Sequence, residues 1–225
     1  NYQAVPDTFL YIFRDAFRPT AAAGGFAGAA VMHTIRYGVA RGIFSNESGL
    51  GSAPIAHAAA RTNEPVREGL VAMMGPFIDT IVICSMTAFV IVSSGLWTAV
   101  GPDGAQLTGA QLTAAAISRH FPQFGNMIIS MGLLLFTFST MVSWSYYGDR
   151  CASYLFGRGA VLPYRILFCL VIIAGANLEL KLVWTFSDIM NGLMALPNLI
   201  ALLFLGWSVT ADVRDYFSRQ HKRYW

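Results

Sequence analysis

Long apolar runs, each carrying few charges, dominate the chain. Four approach or exceed the roughly 20 residues that an α-helix needs to cross a hydrocarbon core of about 30 Å. They lie at 69–97 ("GLVAMMGPFIDTIVICSMTAFVIVSSGLW"), 127–147 ("MIISMGLLLFTFSTMVSWSYY"), 161–178 and 189–209. A fifth segment, 9–40, is interrupted by "RPTAAAGGFAGAA", where Pro19 and the paired glycines Gly24 and Gly25 argue for a broken helix. The pattern predicts an all-α polytopic membrane protein in one transmembrane domain. Between 98 and 126 the chain is too polar to span, and its helix-forming stretches between Gly and Pro predict a helical loop or lid.

Composition and charge sharpen this picture. Hydrophobic residues make up 55% of the chain and charged residues only 12%, against about a quarter in a soluble domain. A net charge of +3 gives no reason to expect a nucleic-acid partner. The distribution of the cations is more informative. If the region after the first segment is cytoplasmic, that side collects Arg36, Arg41, Arg61, Arg67, Arg150, Arg158, Arg165, Arg214, Arg219, Lys222 and Arg223. The other side keeps Arg14, Arg18, Arg119 and Lys181, an asymmetry that follows the positive-inside rule. The loop 41–66 and the polybasic tail 210–225 are then cytoplasmic, and 98–126 is extracellular. Cys84, Cys151 and Cys169 form no CxxC pair and are expected to be buried, inert thiols. The tryptophans lie near segment ends, as interfacial anchors do, with Trp144 the deepest. The chain opens on Asn1 without an initiator Met, which suggests that a longer protein precedes it.

Four places offer chemistry. The glycines of "AAAGGFAGAA" either mark an unwound point that frees backbone groups for a ligand or, through Gly24 and Gly28, form a GxxxG packing face. Phe26 is correspondingly a lid or a core knob. Asp79 lies about ten residues, roughly 15 Å, inside its run. A carboxylate there needs a cation, an arginine or a proton, so an ion or proton site with Thr80 and Thr87 nearby is the favoured reading over a structural pair. Thr137, Ser139 and Thr140 put hydroxyls inside an apolar helix, where they suit a hard cation such as Na⁺. They equally suit bonds to the helix's own carbonyls, which is the preferred reading from these residues alone. In the last run, Pro197 is expected to bend the helix, with Asn198 satisfying the freed carbonyl. The chain holds no HExxH, GxSxG or P-loop, so an enzyme is not indicated.

The stretches "GGFAGAAVMHTIRYGVARGIFSNESGLGSAPIAHAAARTNEP", "MGPFIDTIVICSMTAFVI", "LLLFTFSTMVSWSYYGDRCASYLFG" and "NGLMALPNLIALL" are similar, in order and over nearly the whole chain, to the sodium:alanine (alanine or glycine:cation) symporter family. That resemblance implies one five-helix inverted-repeat half of a LeuT-type fold, beginning at its broken helix. It assigns Gly24, Gly25, Phe26 and Gly28 to substrate. It places Ser139 and Thr140, with Thr137, near one sodium position, and Asp79 with Thr80 near another. It further implies Na⁺-coupled uptake of alanine or glycine by alternating access in the bacterial plasma (inner) membrane, with no organic cofactor. The partners implied are a small amino acid, the bilayer and an N-terminal repeat that this chain lacks. The alternative is a channel or receptor in which the glycines serve packing only.

The most polar stretch, "RGIFSNESGLGSAPIAHAA" at 41–59, then falls on the cytoplasmic side between the broken helix and the Asp79 run. It is read either as cytoplasmic-gate machinery or as a static packed loop. In the gate reading Asn46 is included, and Arg41 and Glu47 form a charge pair in one state and release it in another. The sequon at Asn46 ("NES") is a chance match at a cytoplasmic position.

Overall fold

The computed structural model describes residues 4–17, 27–101 and 104–219. The regular elements among the described residues are helical, with an isolated antiparallel bridge between Val100 and Gln106 in one loop. In chain order they form α1 (Ala4–Phe17), α2 (Ala27–Asn46), a short α3 (Ala53–His57) and α4 (Pro65–Phe77). A π-helical segment (Ile78–Ile83) leads into α5 (Cys84–Ser94), followed by α6 (Gly109–His120) and α7 (Gly125–Phe156). A 3-10 turn (Arg158–Ala160), α8 (Val161–Gly175) and α9 (Leu180–Ser218) complete the set.

Four continuous helical stretches are long and apolar enough to cross a membrane: Pro65–Ser94, Gly125–Phe156, Arg158–Gly175 and Leu180–Ser218. The first begins at a proline, whose missing N–H costs nothing at that position. It stops at Ser94 because Gly95 turns into the left-handed region (φ +68°), and its N–H bonds the Val92 carbonyl at 3.0 Å. α7 and α9 run well past the apolar stretches that mark them. At 32 and 39 residues they measure about 48 and 58 Å. Hydropathy marks where a helix meets an apolar solvent, whereas the hydrogen-bond ladder continues for as long as the backbone allows. α9 stays helical through Pro197. The segment at 9–40 is seen as α1 and α2, with α2 continuing to Asn46.

The chain divides into two compact units, residues 1–39 with 78–143 and residues 40–77 with 144–225. In the first, α5 packs against α1, with Phe9 and Phe89 stacked at 6.1 Å. α5 also packs on α6, where Ser93 Oγ meets His120 Nε2 at 3.2 Å. The α6–α7 corner is close: a Cβ on Gly125 would lie 2.6 Å from Ser118 Cα, and Ser118 Oγ bonds Asn126 Oδ1 at 2.7 Å. In the second unit, Arg165 on α8 clasps Asp149 on α7 through both carboxylate oxygens (2.6 to 3.2 Å). One residue before Asp149, Gly148 leaves room for the Tyr164 ring, which occupies the place a Cβ would take. His57 Nδ1 meets Glu68 at 2.7 Å, joining α3 to α4, and Arg219 bonds both Glu64 oxygens at 3.1 and 3.3 Å.

Large apolar side chains face outward. Leu134, Phe204 and Trp207 are 64%, 83% and 88% exposed, while Leu50, Ala116 and Ala152 are the buried apolar residues among those described. This arrangement suits lipid tails as solvent, since they are as apolar as leucine. It also corrects the expectation for the thiols: Cys84, Cys151 and Cys169 are all exposed. Lying in an apolar run buries a residue only when the run packs on protein.

Candidate functional site

Of the positions read as a substrate site, Gly24, Gly25 and Phe26 lie outside the described residues, and Gly28 falls in the first turn of α2. Two further sets of polar positions sit inside apolar helices of the first unit.

Asp79 and Thr80 open the π-helical segment, midway along the Pro65–Ser94 stretch. Pro76, in the last turn of α4, cannot donate to the carbonyl four residues earlier, and the wider π register follows two residues later. Asp79 and Thr80 are half-buried there, and both are engaged in interactions. Thr87, which shares the run, donates its hydroxyl to the Ile83 carbonyl at 3.0 Å, where the π segment ends. It therefore serves the backbone.

The second set is on α7. Ser139 Oγ donates to the Phe136 carbonyl at 3.0 Å, the local bond that the hydroxyl pattern allows. Its oxygen keeps lone pairs for another partner. Thr137 lines an open apolar groove with Ser130, Leu134 and Phe138, and Thr137, Ser139 and Thr140 are all exposed on the helix. Among the described residues no group of three or more His, Cys, Asp or Glu side chains gathers to hold a metal. The oxygens on offer are hydroxyls and carbonyls with one carboxylate, which match a hard, weakly held cation better than a transition metal.

The polar stretch 41–59 belongs to the second unit. Arg41 forms an ion pair with Asp188 on α9 instead of with Glu47. Its guanidinium carbon lies 4.1 Å from the centre of the Trp184 ring and 5.7 Å from that of Phe44. Arg41 Nε and Nη1 are buried without a hydrogen-bond acceptor, so the aromatic faces take the place of one. Trp184 thus spends its ring on a cation as well as on any interface. Glu47 turns the chain in the left-handed region (φ +55°), and its Oε2 accepts the Ser52 hydroxyl at 2.7 Å. Asn46 Oδ1 accepts the Ser48 N–H at 2.9 Å, an Asx turn that ends α2.

Asn198 corrects its sequence reading. Its amide does not serve a carbonyl freed by Pro197; it donates to the Gly49 carbonyl at 2.9 Å. Asp188, Trp184, Ser52 and Asn198 therefore help to anchor this region. In the sequence Trp184 reads as an interfacial anchor, Ser52 as one polar residue of 41–59 and Asn198 as a partner of Pro197, none of them in the role it takes here. Asp188 sits one residue before the apolar run and looks like an ordinary flanking charge.

Comparison with known proteins matches residues 1–224 to the Sodium:alanine symporter family. The chain is 49% identical to an uncharacterized transporter of Haemophilus influenzae, over 97% of this chain and 47% of that protein. It is 47% identical to the Sodium/alanine symporter AgcS of Methanococcus maripaludis, over 96% of this chain and 46% of that protein. With the Probable sodium/glutamine symporter GlnT of Bacillus subtilis, identity is 38% over 99% of this chain and 45% of that protein. The chain spans about half the length of these curated relatives. With a family match from end to end, the chain belongs to the sodium:alanine symporter family, a family of membrane transporters and not of enzymes.

Proposed function

We propose that this chain forms one half of a sodium-coupled symporter for alanine- or glycine-type amino acids, working by alternating access. The observation that carries the reading is the family match over residues 1–224, which includes the polar positions inside the spans. The higher identity to the sodium/alanine symporter than to the sodium/glutamine one favours a small side chain in the substrate.

In this reading the chain is a five-helix repeat of LeuT type, and a partner repeat supplies the rest of each site. Gly24, Gly25 and Phe26, before α2 in the sequence, and Gly28 in its first turn receive the amino acid at freed backbone groups. Ser139 and Thr140, with Thr137, offer hydroxyl oxygens to one sodium ion, and Asp79 with Thr80 contributes to a second. Arg41, Asn46 and Glu47 belong to the cytoplasmic gate, Arg41 to the contact that opens and Asn46 and Glu47 to the turn that frames it, and the C-terminal tail lies in the cytoplasm. Sodium binding favours the outward-open state, the amino acid joins, and the loaded form reopens inward.

Uptake of labelled alanine into proteoliposomes bearing the full-length protein tests this. Accumulation should follow an inward sodium gradient, collapse when the gradient is dissipated, and be competed by glycine more strongly than by glutamine. Accumulation indifferent to sodium would remove the coupling, and stronger competition by glutamine would remove the substrate assignment.

A further inference from the structure

The turn from 46 to 52 is built against α9 more closely than a connector between two helices requires. Glu47 is the non-glycine residue of positive φ among those described, and Gly49 and Gly51 follow at +80° and +81°. A side chain resists that region because its Cβ crowds the backbone, so contacts must hold Glu47 in place. The Ser52 hydroxyl does so at 2.7 Å, from a residue only 1% exposed. The Leu50 N–H returns to the Glu47 carbonyl at 3.2 Å, and the Leu50 side chain is 3% exposed.

Asn198 closes this arrangement from the side of α9. Its Nδ2 donates to the Gly49 carbonyl at 2.9 Å, and its Oδ1 lies 2.9 Å from where a Cβ on Gly51 would stand. The carboxamide therefore rests flat on Gly51, which must be glycine both for its φ and for this approach. Lifting the turn off α9 would leave the Gly49 carbonyl and the carboxamide without partners beside buried Leu50 and Ser52, which is costly. The Arg41–Asp188 pair, ten residues earlier along α9, differs in kind. Its two side chains are 32% and 44% exposed, so parting it gives Asp188 to water and leaves the Arg41 guanidinium against the Trp184 and Phe44 rings.

We infer that Asn198 is a positioning residue that pins the 46–52 turn to α9 throughout the transport cycle, leaving Arg41–Asp188 as the contact that opens. The inference rests on the transport reading above, and a backbone measurement separates the two. In the full-length protein in lipid nanodiscs, amide hydrogen exchange over 47–58 should be equally slow with and without sodium plus alanine. In Asn198→Ala it should quicken about tenfold or more. Asn198→Asp, which keeps the shape but not the donated N–H, should behave in the same way. In proteoliposomes both variants should lose about fivefold or more in maximal uptake rate while KM for alanine stays within about twofold. Unchanged exchange in both variants, or wild-type protection that vanishes when sodium and alanine are added, would overturn the pin. So would a raised KM at unchanged maximal rate. A wild-type protein without sodium-driven uptake would defeat the transport reading alone, and the exchange result would still decide whether Asn198 holds the turn.

Discussion

Gly148 and Tyr164 show how little space some residues of this chain are given. The phenol ring lies where a Cβ on Gly148 would be, next to the Asp149–Arg165 clasp that joins α7 and α8. Gly148→Ala forces the ring aside, and overpacking of this kind costs about 1–3 kcal/mol. The comparison is Gly132→Ala on the same helix, where nothing lies within 4 Å of the added carbon. Alanine there should be neutral or favourable by up to about 1 kcal/mol, from helix propensity. Thermal unfolding of the purified protein in detergent should therefore rank Gly148→Ala below wild type and Gly132→Ala level with it or above. Equal midpoints for the two variants would mean that Tyr164 gives way freely.

Within single elements, the π-helical segment makes the sharpest demand. Pro76 withdraws one N–H from the ladder just before Ile78–Ile83, and Asp79 and Thr80 stand at the start of the widened register. Pro76→Ala restores the donor and lets an α register continue, which should raise thermal stability. Each residue of register is worth roughly 100° of rotation, so closing the π register would turn Asp79 and Thr80 off their present bearing. The prediction is a pair of opposite signs: a higher unfolding midpoint and a weaker activation of alanine uptake by sodium. If stability and sodium activation rise together, the π segment has no part in the ion site. The depth of Asp79 is legible in the sequence, because a charge in an apolar run is visible at once. The register around it is not, because hydropathy averages over turns and cannot distinguish a π turn from an α turn. The same limit applies to α7 and α9, whose apolar centres are plain while their polar ends are not. It applies again to Arg41, since the choice between Glu47 and Asp188 depends on how α2 and its turn meet α9.

At the scale of the whole molecule, the polar groups of the described residues fall short of a closed site. Thr137, Ser139 and Thr140 are exposed on α7, and a hard cation gathers about six or more oxygens around it. Three hydroxyl oxygens are too few, even though Ser139 can still accept while donating to the Phe136 carbonyl. The four long helices keep almost all of their apolar surface outward, with at most 6% of their most apolar windows buried. Such surface can meet lipid, but it can equally receive further helices, and relatives about twice the length of this chain have the residues to provide them. In the inverted-repeat reading, each ligand lies between two halves. This chain reconstituted alone should then bind neither sodium nor alanine saturably, by tryptophan fluorescence or by scintillation proximity with labelled alanine. Supplying the N-terminal half of the full-length protein in the same membrane should restore both, and alanine should bind more tightly as sodium rises, since linkage requires each ligand to raise the other's affinity. Saturable alanine binding by this chain alone would place the site wholly within one repeat and end the divided-site reading.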